Sequence, residues 1–176
     1  MAESVLNEEE RLRRNRKLSL SLAAVIFLFD QAAKWVVTYV FQLQQRREME
    51  ILPFFDLRWV ENNGVSLGLF SAESDLGRWL LVIGTTLIAA FVAWWLWKEK
   101  RRDDSAALAL ILGGALGNIT DRARLGYVVD YADLHFGEWR PFLVFNVGDA
   151  AITIGVLLLL VRALLMRDGT AKKKEV

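Results

Sequence analysis

The chain has 176 residues, of which 54% are hydrophobic, and its formal net charge is only +1. That balance gives no electrostatic basis for binding nucleic acid, and a hydrophobic share this high, gathered in blocks, points to a bilayer as solvent. With no cysteine and a single histidine, His135, a thiol nucleophile is excluded and a zinc site would lack its usual ligands.

In chain order, the first apolar run covers 18–41, behind the basic stretch 11–17. Such a start resembles a signal-peptide leader, but the apolar pattern resumes after Asp30 through Trp35, Val36, Val37 and Tyr39. A crossing needs ~20 residues, so the run reads as a full span. A long loop follows, about 42–78, where Phe55, Leu57 and Trp59 alternate with Asp56 and Arg58 at the period of a strand. The second span covers about 76–97 and the third about 105–122, the latter after the capping-type residues Asp103, Asp104 and Ser105. The fourth covers about 147–166. The whole of 1–176 is expected to be one membrane domain, with solvated charged tails at 1–15 and 167–176.

Four spans place both termini on one side of the membrane. Arg11, Arg13, Arg14, Arg16 and Lys17, then Lys98, Lys100, Arg101 and Arg102, then Arg167 and Lys172 to Lys174 mark that side as cytoplasmic. The opposite loops, about 42–78 and 121–146, contain no lysine and are expected outside. Trp79, Trp94, Trp95 and Trp97 suit interfacial anchors.

Ionisable groups at membrane depth are costly and default to function. Asp30 and Lys34 stand i, i+4 in the first span, the favoured order for an ion pair. Asn118, Asp121 and Arg122 share one face of the third helix, where Asp121 and Arg122 read as a structural ion network. Gly113 and Gly117 before them form a GxxxG pair that admits a close helix. Asn146 and Asp149 read either as the cap and first turn of the fourth helix or, with Asp130, as part of a carboxylate pair. Two such carboxylates can share a proton and divide the roles of general base and general acid. His135 reads as a surface or packing residue. Two rivals remain at this level: a small transporter or proton-relay subunit using Asp30, Lys34 and Asp121, and a Ser–Lys peptidase pairing Lys34 with Ser66 or Ser71.

Five stretches occur in an order that resembles bacterial signal peptidase II. They are Asp30-Gln31-Ala32-Ala33-Lys34, Asn62-Asn63-Gly64, Gly113-Gly114-Ala115-Leu116-Gly117-Asn118-Ile119-Thr120-Asp121-Arg122, Val128-Val129-Asp130-Tyr131 and Phe145-Asn146-Val147-Gly148-Asp149. The likeness spans about 18–165. It implies four membrane helices with a small extracytoplasmic sheet and a short helix in the first outer loop. It also implies an aspartyl endopeptidase of the bacterial inner membrane with Asp130 and Asp149 as its catalytic pair, and no metal or cofactor. Asp30, Lys34, Asn62, Gly64, Asn118, Asp121, Arg122 and Asn146 would support or line the site. Its substrates would be prolipoproteins bearing a diacylglyceryl group, cut just before the modified cysteine, with membrane lipids as surroundings and a monomer as the working form. Gly148-Asp149-Ala150 departs from a more usual Ala-Asp-Ser, Thr120 from an aliphatic residue, and Val65-Ser66-Leu67-Gly68 from a common Ala-Ala-Phe stretch; none removes a carboxylate. The long first outer loop is a candidate lid, its apolar side resting on membrane or substrate lipid.

Overall fold

A computed structural model describes residues 2–64 and 75–171. Helix α1 (Ala2–Trp35) continues as a π-helical turn, Val36–Val40, followed by the short helix α2 (Leu43–Arg46). Strands β1 (Glu48–Leu52) and β2 (Phe55–Asn62) come next, then helices α3 (Asp75–Lys98) and α4 (Arg102–Leu125), strand β3 (Val128–Leu134) and helix α5 (Val147–Ala171).

Three of these helices are long and apolar enough to cross a membrane: α1 with its π turn over Asn7–Val40, α3, and α5 over Val147–Leu165. Their outward faces present Leu28, Phe29, Ile88, Phe91, Leu157 and Leu164 to the surroundings. An outside this greasy is stable only where the solvent is itself hydrocarbon. Helix α4 falls short of the same measure because it carries Asp103 and Asp104 at one end and Asn118, Asp121, Arg122 and Arg124 at the other. It packs against α1, α3 and α5, and Ala107, Leu108, Ala109, Leu112, Gly113, Gly114 and Gly117 are buried on it. A helix enclosed by protein on several sides has little need of a lipid-compatible surface.

Glycine makes that enclosure tight. A Cβ on Gly113 would meet the carbonyl oxygen of Ala23 at 2.5 Å, and one on Gly117 would collide with the Asp30 carboxylate. On another side, Gly114 lies against the Gly148 backbone of α5. The GxxxG expectation holds, and Gly114 extends the contact to a second helix. The basic stretch before the first span is helical, a continuation of α1, while most of its side chains from residue 7 to 14 remain exposed. Arg16 at its end lies 4.8 Å from the Trp97 ring centre and donates to the Trp97 carbonyl.

The sheet is antiparallel with order β1-β2-β3. The expectation of a sheet within the first outer loop is therefore incomplete, because its third strand comes from the segment after α4. Leu57 and Trp59 do alternate as expected, yet they point into a core with Val37, Leu43, Val129 and Tyr131 rather than toward lipid. Within the candidate lid, β1 and β2 are thus bonded into the sheet and Leu57 and Trp59 are packed, while Ile51, Leu52 and Phe54 stay exposed; 65–74 lies outside the described residues. A register shift between Leu57 and Val60 leaves Val60 opposite Asp130 and Asn62 opposite Val128. Asn62 and Asp130 become diagonal neighbours across the strands, close enough for their side chains to meet.

Candidate active site

Asn146 begins the site because it begins α5. Its Oδ1 accepts from the Asp149 backbone N–H at 2.9 Å, while Asp149 Oδ2 accepts from the Asn146 N–H at 3.2 Å. This is a reciprocal helix-start cap, the local reading that the Asn146–Asp149 spacing suggested. The cap has a free amide nitrogen, and that nitrogen reaches the second carboxylate: Asn146 Nδ2 donates to Asp130 Oδ1 at 2.6 Å and to Asn118 Oδ1 at 3.2 Å. One asparagine therefore touches both aspartates, so the cap and the carboxylate pair are the same piece of structure.

The other oxygen of Asp130 accepts from Asn62 Nδ2 at 2.9 Å. Asn62 is aimed by its own turn, since its Oδ1 accepts from the Gly64 N–H at 2.9 Å. Gly64 sits at φ 85, a left-handed conformation that glycine adopts without strain. A Cβ there would also stand 3.2 Å from Leu81 and 3.4 Å from Arg122 Nη2. On the Asp149 side, Asn118 Nδ2 donates to Asp149 Oδ1 at 2.8 Å.

Behind the pair lies an ion network. Lys34 Nζ stands 2.7 Å from Asp30 Oδ2, 2.8 Å from Asp121 Oδ2 and 3.1 Å from Asn118 Oδ1. All four residues are buried. Asp30 also accepts from the Gly148 N–H at 2.8 Å, satisfying a donor in the first turn of α5, and Asp121 accepts from the Val129 N–H at 3.2 Å. A single lysine and two aspartates thus tie α1, α4, β3 and α5 to one another, and Lys34 passes its orientation to Asp149 through Asn118. Unpaired, any of these buried charges would cost several kcal/mol. The expected Asp30–Lys34 pair is present. The expected structural ion network at Asp121 is present, but its cation is Lys34 and not Arg122, which makes no ion pair with Asp121 among the described residues. Among the described residues Arg122 Nε has no hydrogen-bond partner.

Asp130 is 2% exposed. Burial first, then the charge of Asp149, pushes its carboxyl from the ordinary 3.8 up to about 6, against the hydrogen bonds from Asn62 and Asn146 and the charge of Lys34. It therefore keeps a proton at mildly acidic pH where an ordinary aspartate would be ionised.

Every expected site residue within reach of description gathers at this end of the bundle. Gln31, present in the first motif but given no role there, donates to Asp121 at 3.0 Å, and Arg78, which the sequence did not single out, caps the carbonyls of Arg122 and Ala123 at the end of α4. Gln31 was visible as a polar residue beside Asp30; Arg78 carried no signal. His135 packs as a structural residue, 2.9 Å from Asp56 and away from the pair. Ser66, Ser71 and the Val65-to-Gly68 departure lie outside the described residues. No cluster of three or more His, Asp or Glu arranged to hold a metal occurs among the described residues.

The family model for signal peptidase (SPase) II matches residues 22–165. A lipoprotein signal peptidase of Rhizorhabdus wittichii is 58% identical over 154 residues, 88% of this chain and 90% of that protein. One from Sphingopyxis alaskensis is 55% identical, covering 86% of this chain and 88% of that protein. A solved structure described as a bacterial membrane enzyme superposes with TM-score 0.71 at 28% identity, over 89% of this chain and 92% of that one.

Proposed function

The chain belongs to the signal peptidase II family, and from that premise we propose that Asp130 and Asp149 are its catalytic pair. The protein is a multi-pass membrane peptidase that removes signal peptides from prolipoproteins. In the finer reading the substrate carries a diacylglyceryl group and is cut just before the modified cysteine. Helix α4 counts as the fourth span, both termini lie in the cytoplasm, and the carboxylates stand at the outer face of the inner membrane.

The observation that supports the aspartyl reading is Asn146, whose backbone and side chain hold two carboxylates from different elements together. Asp149 accepts hydrogen bonds at both oxygens, as a carboxylate does, and suits the general base. Asp130 retains its proton to about pH 6 and suits the general acid. Asp149 takes a proton from water as the water oxygen attacks the scissile carbonyl carbon, while Asp130 gives its proton to the carbonyl oxygen. Collapse of the tetrahedral gem-diol breaks the C–N bond. It returns one proton to Asp130 and passes the proton on Asp149 to the leaving amine, so the pair ends as it began. Asn62, Asn118 and Asn146 hold the two carboxyl groups in register, and Lys34 with Asp30 and Asp121 holds the elements that carry Asn118 and Asn146.

Asp130→Asn and Asp149→Asn should each abolish cleavage of a lipidated prolipoprotein while leaving the protein folded in detergent. Asparagine keeps the shape but cannot exchange the proton. Near-normal turnover by either variant would remove the pair from the mechanism.

A further inference from the structure

The segment joining β3 to α5 is pinned at both ends. Arg140 Nε donates to the fully buried Asp133 carboxylate at 2.9 Å. Phe145 exchanges backbone hydrogen bonds with Ala132, at 3.0 Å as donor and 2.8 Å as acceptor. Between the pins, Pro141, Phe142, Leu143 and Val144 form a projection whose Leu143 is 91% exposed. Leu143 and the exposed Phe142 beside it belong to an apolar surface that lies next to the two carboxylates.

Two cavities meet at Leu143. One, of about 550 Å³, runs along α5 past Phe142, Phe145, Thr153 and Ile154, with Asp149 at its head. The other, of about 650 Å³, runs along β2 past Arg58, Glu61, Asn62 and Asn63, with Asp130 at its head. Each carboxylate thus opens onto a different environment. The α5 groove ends at the exposed Ile154, and Leu157 and Leu158, one turn further along the helix, are exposed on the apolar surface that faces the bilayer. Its contents need not leave the bilayer. In the β2 cleft the charged and amide groups would lose hydration against an alkyl chain, whereas a peptide backbone can bond to them.

The modified cysteine of the substrate is a branch point: its thioether leads to acyl chains, and its main chain leads into the mature protein. Building on the function proposed above, we propose that Leu143 and its pinned loop sort the substrate at that branch. The acyl chains lie in the groove along α5, and the residues following the cysteine lie in the cleft along β2. Leu143 is then a specificity-determining residue, and lateral entry from the bilayer is along α5.

Photolabelling of the wild-type enzyme tests the arrangement. A lipopeptide with a diazirine in its acyl chains should mark α5 around Thr153 and Ile154, and one with benzoylphenylalanine two residues after the cysteine should mark β2 between Trp59 and Asn63. Acyl label on β2, acyl label spread without preference, or capture of the residue before the cut by the α5 groove would each overturn the sorting. A second measurement uses Leu143→Asp with dipalmitoyl and dibutyryl substrates. The ratio of kcat/KM, long chain over short, should fall at least about tenfold, because a charge at the groove mouth penalises only the longer chain. An unchanged ratio refutes the role of Leu143. Failure of the carboxylate pair is read separately: if Asp149→Asn still cuts, the catalytic assignment falls while the label map stands on its own.

Discussion

Replacing Asp130 with asparagine should make the protein more stable at neutral pH while destroying its activity. The wild-type carboxyl is buried beside a second carboxylate, and folding raises its pKa from 3.8 to about 6. A raised acid pKa means that folding disfavours the ionised form. The resulting cost is absent below pH 3.8, grows as pH rises, and is fully present above about pH 6. The interval is about two pH units at ~1.4 kcal/mol each, so the cost approaches about 3 kcal/mol. Asparagine removes it but offers only one acceptor oxygen, where Asp130 serves two amide donors, Asn62 and Asn146. Stranding one donor forfeits about 1–2 kcal/mol. The net gain is about 1–2 kcal/mol at pH 8, or about 4 °C in Tm. Thermal unfolding in mild detergent from pH 4 to 8 measures it. The variant should lead at pH 8, and its lead should vanish or reverse by pH 4, where the wild-type group is protonated. A difference in Tm that does not change with pH would refute the assignment of the strain to this carboxyl.

Asn62→Ala removes one donor to Asp130 and should raise that pKa further, by about one unit. Because the general acid must keep its proton, the alkaline limb of the kcat/KM profile should move to higher pH; a limb that stays put or moves lower contradicts the role. Gly117→Ala drives a methyl group into the Asp30 carboxylate and should lower stability by about 1–3 kcal/mol, whereas Gly84→Ala, with no atom within 4 Å, should stay within about 1 kcal/mol of wild type. Equal losses in the two melting curves would show that α4 does not depend on its close approach to α1. Since the chain has no cysteine, Glu138→Cys and Lys100→Cys can report sidedness with an impermeant maleimide. Position 138 should react from outside in spheroplasts and position 100 should not; the reverse pattern inverts the topology.

What the sequence determined by itself lies within a few turns of chain. Apolar runs marked α1, α3 and α5, the i, i+4 spacing marked Asp30 with Lys34, and Asn146 with Asp149 marked the start of α5. Asn62-Asn63-Gly64 announced its turn through glycine. Each of these follows from a local period or a local hydrogen bond, which sequence spacing encodes directly. The resemblance to a family named the two aspartates and the residues around them, but not which of those residues bonds to which carboxylate. Strand β3 was missed because its burial runs through both faces and shows no alternation, and its partner β2 lies more than sixty residues earlier. The choice of Lys34 over Arg122 as partner for Asp121 depends on which side of α4 meets α1, and glycine contacts at 113 and 117 decide that. The double reach of Asn146, to Asp149 in its own helix and to Asp130 in a strand, exists only once α5 has docked against that sheet. A carboxylate pair is a long-range object. Its members can be guessed from their type, but their separation and shared environment come from packing.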